Sequence, residues 1–301
     1  MYKRFYGLRE KPFTLLPDPR FLYLGQQHSV AYAMLEYGLT NQAGFSVIIG
    51  DVGCGKTTLI RHLLNEVEDN ITVGLMSSMH NSYGRLLQWV MMAFDQPYRN
   101  KSDIELFDLF TDFIIGEYAK GRRTVLIVDE AQNLQLNTLE ELRMLSNINA
   151  DQDQVIQLIL VGQPQLREML KRPELEQFAQ RIAVDYYLTS FSEEETAEYI
   201  HHRTLCVGQP RKLFSDAACK LVHKAARGTP RLINIICDTA LVYGYAENKA
   251  VIDEAIIQSV VEDKTQTGII RLTDGKDAEE EPQTKDQELV GTPYPNNAKA
   301  E

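Results

Sequence analysis

The chain has 301 residues, of which 44% are apolar and 24% charged, so it is long enough for one large or two modest domains with real cores. Its formal net charge is −11. Residues 272–301, with eight acids and three lysines, carry −5 of this charge, which leaves −6 for residues 1–271. This balance argues against tight non-specific binding to nucleic acid, although a local basic patch stays open. Four scattered cysteines exclude a disulfide scaffold and no apolar run reaches membrane-spanning length, so we expect a cytoplasmic protein.

The chain begins with an arm rich in aromatic residues and proline, residues 1–24, which we expect to be ordered but irregular. A helix is predicted next, because apolar residues recur at helical spacing between Ser29 and Leu39. We expect the whole of residues 1–44 to pack on the core of the domain that follows.

A glycine-rich loop between a predicted strand and a predicted helix is the strongest signal in the sequence. Gly50, Gly55, Lys56 and Thr57 match G-x-x-x-x-G-K-[ST], the P-loop pattern for nucleoside phosphates. In such a loop the backbone N–H groups surround the phosphates, Lys56 reaches the β- and γ-phosphates, and the Thr57 hydroxyl is a ligand of Mg²⁺. The predicted binding segment is Gly50, Asp51, Val52, Gly53, Cys54, Gly55, Lys56, Thr57 and Thr58.

Two adjacent acids form the second strong signal. After a strand and two helices predicted over residues 71–118, the apolar run of residues 125–128 ends in Asp129 and Glu130. Four apolar residues leading into acids indicate a buried parallel strand, and open parallel sheets bind ligands at that end. Asp129 is expected to hold Mg²⁺, as in a Walker B motif, whereas Glu130 points the other way and can polarise an attacking water.

A polar residue follows the next predicted strand, residues 155–161. Gln163 is therefore expected at the same sheet edge as Asp129, where it either hydrogen-bonds the γ-phosphate or its water, or is an ordinary turn amide. One more strand is predicted over residues 184–188. The alternation of strands and helices over residues 45–189 predicts an α/β domain with a parallel sheet flanked by helices.

From Ser190 the pattern changes to helices only, which predicts a small all-α domain over residues 190–264. Ser192 and Glu195 have the spacing of a capping box, and Pro230 stands at a helix start, where its missing N–H costs nothing. Residues 265–301 are acidic and without periodicity, and they are predicted to be disordered.

Together these features resemble the AAA+ ATPases, in which a P-loop domain precedes a helical lid. Four segments are also similar to the ExeA/GspA ATPases of bacterial secretion systems and to the related ATPases of exosortase and exopolysaccharide loci: residues 6–24, 129–134, 162–164 and 228–234. The resemblance extends from residue 1 to about residue 265. Secretion-pathway members continue into a transmembrane helix and a periplasmic peptidoglycan-binding domain, and because neither is seen here the resemblance implies the shorter cytoplasmic type.

The resemblance also implies roles for individual residues. Gln163 matches sensor 1, and Arg231 matches sensor 2, which contacts phosphates from the lid, although a surface arginine at a helix start is the alternative. Arg181 stands where an arginine finger reaches the nucleotide of a neighbouring subunit, with Arg172 as its rival. Two residues of the arm are expected to lie against adenine, Tyr23 and Leu24.

The leading functional hypothesis is an ATP hydrolase that acts as a homo-oligomer and couples turnover to the assembly or export of envelope components, recruited to the inner membrane by a partner. A DNA-bound regulator like the transposition ATPases MuB and TnsC is one alternative, against which the acidic charge counts. A nucleotide-binding switch with little turnover is the other, and the presence of Glu130 argues against it.

Overall fold

A five-stranded parallel sheet forms the centre of the protein. The computed structural model describes residues 1–68, 70–77, 85–150, 153–267 and 272. Along the sheet the strands follow the order β2 (Ile71–Met76), β3 (Arg123–Val128), β6 (Ile156–Gly162), β1 (Phe45–Gly50) and β7 (Ile182–Leu188). A short antiparallel pair, β4 (Asn149–Ala150) and β5 (Asp153–Gln154), stands apart from it. Because all five strands are parallel, the loops after β1, β3 and β6 meet at one edge.

Helices surround the sheet and then continue without strands. Within the described residues they are α1 (Tyr2–Phe5), α2 (Gln26–Thr40), α3 (Lys56–Glu66), α4 (Leu86–Ala93), α5 (Asp103–Ala119), α6 (Leu136–Leu145), α7 (Pro164–Leu170), α8 (Glu176–Ala179), α9 (Glu193–Cys206), α10 (Asp216–Ala226), α11 (Pro230–Ala246) and α12 (Glu254–Thr267). The capping box predicted at the start of α9 is present, since Ser192 and Glu195 each accept a hydrogen bond from the other's backbone N–H. The predicted fold class, a parallel α/β sheet followed by helices, is confirmed.

Both faces of the sheet are covered, which is why its central strands are mostly apolar, with Ser46 and Gln157 as buried polar exceptions. All six residues of β1 and all seven of β6 are buried. On one face, the sheet packs against α4, α5, α6 and α7 in a core that includes Phe45, Phe110 and Phe178. On the other face, the core is formed with α2 and α3. Parallel strands buried on both faces have no need for polar alternation.

The arm packs against the later helices as well as against the α/β part. Its buried side chains share a core with α9 to α12 and not with the sheet, as in the cases of Tyr2, Phe13 and Phe21. The arm's backbone joins the same helices, because the Arg9 N–H donates to the Val207 carbonyl at 3.0 Å. The arm also contacts the α/β part: Leu22 packs against the core formed with α2 and α3, and Arg61 of α3 donates to the Pro17 carbonyl oxygen at 2.8 Å. The arm therefore lies between the two parts of the protein, and the helices α9 to α12 offer the apolar faces against which its aromatic rings pack.

The last helix of the described chain ends close to the predicted limit. The helix α12 continues to Thr267, slightly beyond the predicted limit of residue 264. Apart from these first residues and residue 272, the predicted disordered tail of residues 265–301 lies outside the described residues. In the described part of the chain, every helix is too short or too polar to cross a membrane.

Candidate nucleotide-binding site

The loop after β1 is shaped by glycines at positions that exclude other residues. Gly53 and Gly55 have φ angles of +82° and +103°, a region that costs residues with a Cβ free energy. At Gly50 a Cβ would lie 2.6 Å from the Leu188 carbonyl oxygen and 2.9 Å from the Cys54 sulfur. Helix α3 then begins at Lys56. The loop therefore curls tightly in front of a helix N-terminus, the arrangement that suits an anion.

Lys56 is buried inside this curl, with only 6% of its surface exposed. Its Nζ donates hydrogen bonds to the carbonyl oxygens of Gly50 at 2.7 Å and Asp51 at 2.9 Å. These neutral partners do not balance its charge. Among the described residues no carboxylate forms an ion pair with Nζ, and a buried ammonium of this kind favours an anionic ligand such as a phosphate.

Thr57 and Asp129 face each other across the site. The Thr57 hydroxyl donates to Oδ2 of Asp129 at 2.8 Å, and the N–H of Glu130 donates to Oδ1 at 2.9 Å. Burial raises the pKa of Asp129 above its usual value, and the two hydrogen bonds oppose that shift. A hydroxyl and a carboxylate at this separation are oxygen ligands of the kind Mg²⁺ prefers, so these residues fit that ion.

Glu130 turns away from Asp129, and amide groups hold its carboxylate. Its backbone is left-handed, with a φ of +57°, which is uncommon for a residue other than glycine. Its Oε2 accepts hydrogen bonds from the side-chain amides of Gln132 at 2.5 Å and Gln163 at 3.0 Å. The structure thus brings Gln163 to the predicted sheet edge and adds Gln132, which the sequence analysis did not select.

One cavity joins most of the predicted residues. It is bounded by the P-loop, the end of β3, the arm and the helices α9 and α11. The predicted residues that line it are Tyr23, Val52, Gly53, Gly55, Lys56, Thr57, Thr58, Glu130 and Arg231. Leu24 lines a separate, larger cavity between α2 and α10, and Leu15 and Leu16 of the arm line the P-loop cavity in its place.

The helix α11 touches the P-loop directly. The N–H of Arg231 donates to the Gly53 carbonyl oxygen at 3.2 Å. Across the cavity, Tyr23 packs edge-on against Phe191 and donates to the Glu198 carboxylate at 2.5 Å. Residues of the sheet, the arm and the helical part therefore all meet at this site.

Sequence reasoning missed three buried polar residues of this cavity. The ring of His28, 2% exposed, contacts the Cys54 carbonyl through Nε2 at 2.8 Å, and burial lowers its pKa. Arg203, 6% exposed, donates to the carbonyl oxygens of Pro12 at 2.5 Å and Thr14 at 3.2 Å. Asn234 accepts from the Tyr199 hydroxyl at 2.9 Å. Only Asn234 lay in a segment that the resemblance had marked, and periodicity distinguishes none of them from ordinary helix residues.

The two candidate finger arginines lie outside this cavity. Arg181 is exposed, and its Nη1 donates to the Ser146 hydroxyl at 3.1 Å and to the Asn147 side chain. Arg172 is exposed as well. Neither residue reaches the P-loop of its own chain, which is the placement that a residue acting on another subunit requires.

The fold and the site define a P-loop protein of the AAA+ class. The family model described as "AAA domain" matches residues 39–170. General secretion pathway protein A of Aeromonas hydrophila is 38% identical over 247 residues, which are 82% of this chain and 45% of that protein. The chain belongs to the AAA+ proteins of this ExeA/GspA type, and it spans about half the length of that relative.

Solved structures support the same fold. The ORC2 protein of Aeropyrum pernix has a TM-score of 0.63 at 17% identity, with 84% of this chain and 71% of that chain covered. The Cdc6p protein of Pyrobaculum aerophilum has a TM-score of 0.63 at 15% identity, with 82% and 71% covered. At these identities the likeness concerns the fold alone.

Proposed function

We propose that this protein binds ATP with Mg²⁺ and hydrolyses it. The observation that carries the proposal is the Thr57–Asp129 hydrogen bond of 2.8 Å, formed beside the cavity that Lys56 and Glu130 line. Phosphoryl transfer needs positioning and charge stabilisation more than covalent chemistry from the protein. A buried ammonium, a hydroxyl–carboxylate pair and a second carboxylate supply those elements together.

In this proposal each residue has a separate task. Lys56 and the P-loop N–H groups bind the phosphates, and Thr57 and Asp129 hold Mg²⁺, which would neutralise charge on the phosphate oxygens. Glu130 accepts the proton of the attacking water. Arg231, which lines the cavity from α11, contacts the phosphates from the lid side. Tyr23 and the adjoining residues of the arm form the wall of the cavity that faces the adenine base.

Two substitutions test the proposal. We expect Lys56→Ala to nearly abolish ATP binding, because the phosphates lose their buried counter-charge. We expect Glu130→Gln to bind ATP normally and to lose hydrolysis by a factor on the order of 10² to 10⁴. Isothermal titration and a phosphate-release assay measure the two quantities, with the exposed Glu141→Gln as the control. Wild-type turnover in Glu130→Gln would contradict the catalytic role.

We further propose that turnover serves the assembly or export of envelope components, in a cytoplasmic homo-oligomer recruited to the inner membrane by a partner. The support is the similarity to general secretion pathway protein A over 82% of the chain. Arg181 is proposed as the residue that one subunit offers to the nucleotide of the next. The division into an α/β domain of residues 45–189 and a helical lid of residues 190–264 belongs to the same proposal.

The two alternatives make different predictions. A DNA-bound regulator requires tight, ATP-dependent binding of duplex DNA, whereas the net charge of −6 over residues 1–271 leads us to expect weak binding at physiological salt. A mobility-shift titration measures this directly. A nucleotide switch would release phosphate no faster than its Glu130→Gln variant does.

A further inference from the structure

Gln132 connects the ends of two neighbouring strands through its side-chain amide. Its Nε2 donates to Oε2 of Glu130, just after β3, at 2.5 Å. Its Oε1 accepts from the backbone N–H of Gln163, just after β6, at 3.0 Å. Since both ends of the amide are engaged, its orientation is defined by the hydrogen bonds and not by an arbitrary choice of rotamer.

Both donors to Glu130 bind the same carboxylate oxygen. The Gln163 side chain donates to Oε2 at 3.0 Å, in addition to the bond from Gln132. Among the described residues, Oε1 of Glu130 has no hydrogen-bond partner, and Glu130 lines the P-loop cavity. The two amides therefore fix one oxygen and leave the other to contact a water molecule.

The backbone around this contact leaves little freedom. The left-handed conformation of Glu130, with φ +57° and ψ +37°, costs free energy that its surroundings must offset. At Gly162 a Cβ would lie 3.1 Å from Oε1 of Gln132 and 2.6 Å from a Leu166 methyl carbon. The Gln132 amide is thus held by its hydrogen bonds to Glu130 and Gln163, and it packs closely against Gly162.

We propose that Gln132 is a positioning residue for Glu130. It contacts neither the phosphates nor the attacking water, and it acts by holding Oε2 so that Oε1 faces the water. This inference rests on the proposed hydrolysis of ATP. It assigns a function to the second residue after the acids of the Walker B segment, where the sequence pattern requires none.

Two variants separate this role from a structural one. Gln132→Glu keeps an acceptor for the Gln163 N–H and loses the donor to Glu130, whereas Gln132→Met loses both. We expect both variants to lower kcat by about 10- to 100-fold, because misplacement of a reacting group by about 1 Å has effects of that size. The Kd for ATP stays within about twofold of wild type, since the phosphate contacts are untouched.

A structural role would give a different pattern. Gln132→Glu would then have wild-type kcat, and only Gln132→Met would be slow and melt at a lower temperature; this result overturns the inference. In a Glu130→Gln background, we expect Gln132→Glu to cause no further loss, because its effect passes through Glu130. An additional loss there also counts against it.

The same experiment separates this inference from the proposed function. A slow Glu130→Gln beside a fully active Gln132→Glu overturns the positioning role alone. A fully active Glu130→Gln overturns the hydrolytic mechanism and the positioning role together. Slow turnover in all three variants with unchanged ATP binding supports both.

Discussion

The backbone of Arg231 rests on the backbone of Gly53: the N–H of one donates to the carbonyl oxygen of the other at 3.2 Å. A Cβ at position 53 would lie 2.6 Å from the Cβ of Arg231. The P-loop and the first turn of α11 are therefore in contact at Gly53, which has no side chain to separate them. A change in the conformation of the loop at Gly53 therefore alters its contact with α11.

We predict that Gly53→Ala weakens ATP binding and destabilises the protein by about 1–3 kcal/mol, because alanine at φ +82° is strained and collides with Arg231. Titration calorimetry and thermal unfolding measure the two effects. Gly116→Ala in α5 is the matched control, since a Cβ there meets nothing within 4 Å. Helical glycine to alanine is stabilising by about 0.5–1 kcal/mol. Wild-type affinity and stability in Gly53→Ala would show that the loop and α11 can separate freely.

We predict that Arg203→Ala releases the arm. The substitution leaves the Pro12 carbonyl oxygen without its donor and leaves the Thr14 carbonyl oxygen with only the Asn234 amide at 3.4 Å; an unpaired buried group costs about 1–3 kcal/mol. It also removes the guanidinium that lies 4.3 Å from the centre of the Phe21 ring. Thermal unfolding and the rate of tryptic cleavage in residues 1–24 report on this, with the exposed Arg211→Ala as control. Equal melting temperatures and equal cleavage rates for the two variants would show that Arg203 does not hold the arm in place.

We predict that ATPase activity per chain rises with protein concentration and that Arg181→Ala binds ATP normally but hydrolyses it slowly, with a loss of at most about 10³. The reason is the proposed role of Arg181, which is exposed and outside the cavity of its own chain: it would act on the nucleotide of a neighbour. Mixing Arg181→Ala with Lys56→Ala should restore some activity, because mixed interfaces pair an intact arginine with an intact P-loop.

Two outcomes would change this assignment. If Arg172→Ala is slow and Arg181→Ala is fully active, the finger is Arg172 and the shared site remains. If the two inactive variants assemble together and stay inactive, no arginine acts between subunits in the way proposed. Sedimentation as a monomer with activity independent of concentration would remove the shared site itself.

We predict that one cysteine reacts with a thiol reagent in the native protein and that all four react after unfolding. Cys206 is exposed, whereas Cys54, Cys219 and Cys237 are buried. Burial raises the pKa of every one of these thiols, that of Cys219 to about 11. The reagent therefore cannot reach the three buried thiols, and few of them are in the reactive thiolate form. A timed thiol titration at pH 8, repeated on Cys206→Ser, measures the count. Fast native modification of Cys54 with loss of ATP binding would contradict the burial of the P-loop thiol.

The sequence was informative wherever a feature depends on residues close together in the chain. The P-loop, the strand that ends at Val128 and the cap at Ser192 follow from periodicity and local chemistry, and the structure has all three. The meeting of Thr57 with Asp129 was also predictable, because the carboxyl ends of parallel strands share one edge.

Contacts between segments that are distant in the chain could not be predicted from the sequence. The arm's aromatic residues require an apolar surface, but their spacing does not say whether the sheet or the later helices provide it. In the same way, the choice between Leu24 and the pair Leu15 and Leu16 depends on how the arm crosses the cavity mouth. Gln132 resembles any polar residue after a strand until the position of Gln163 is known.

The placement of the arm has a consequence for the order of folding during synthesis. Tyr2, Phe13 and Phe21 are translated before the sheet, yet the helices that bury them are translated after it. These rings consequently stay uncovered while the α/β part emerges and folds. The loop closed by their docking contains the whole α/β part, which makes the step slow. A ribosome-bound chain that ends before α9 would therefore expose a strongly apolar N-terminal segment, a natural target for chaperones that bind such segments.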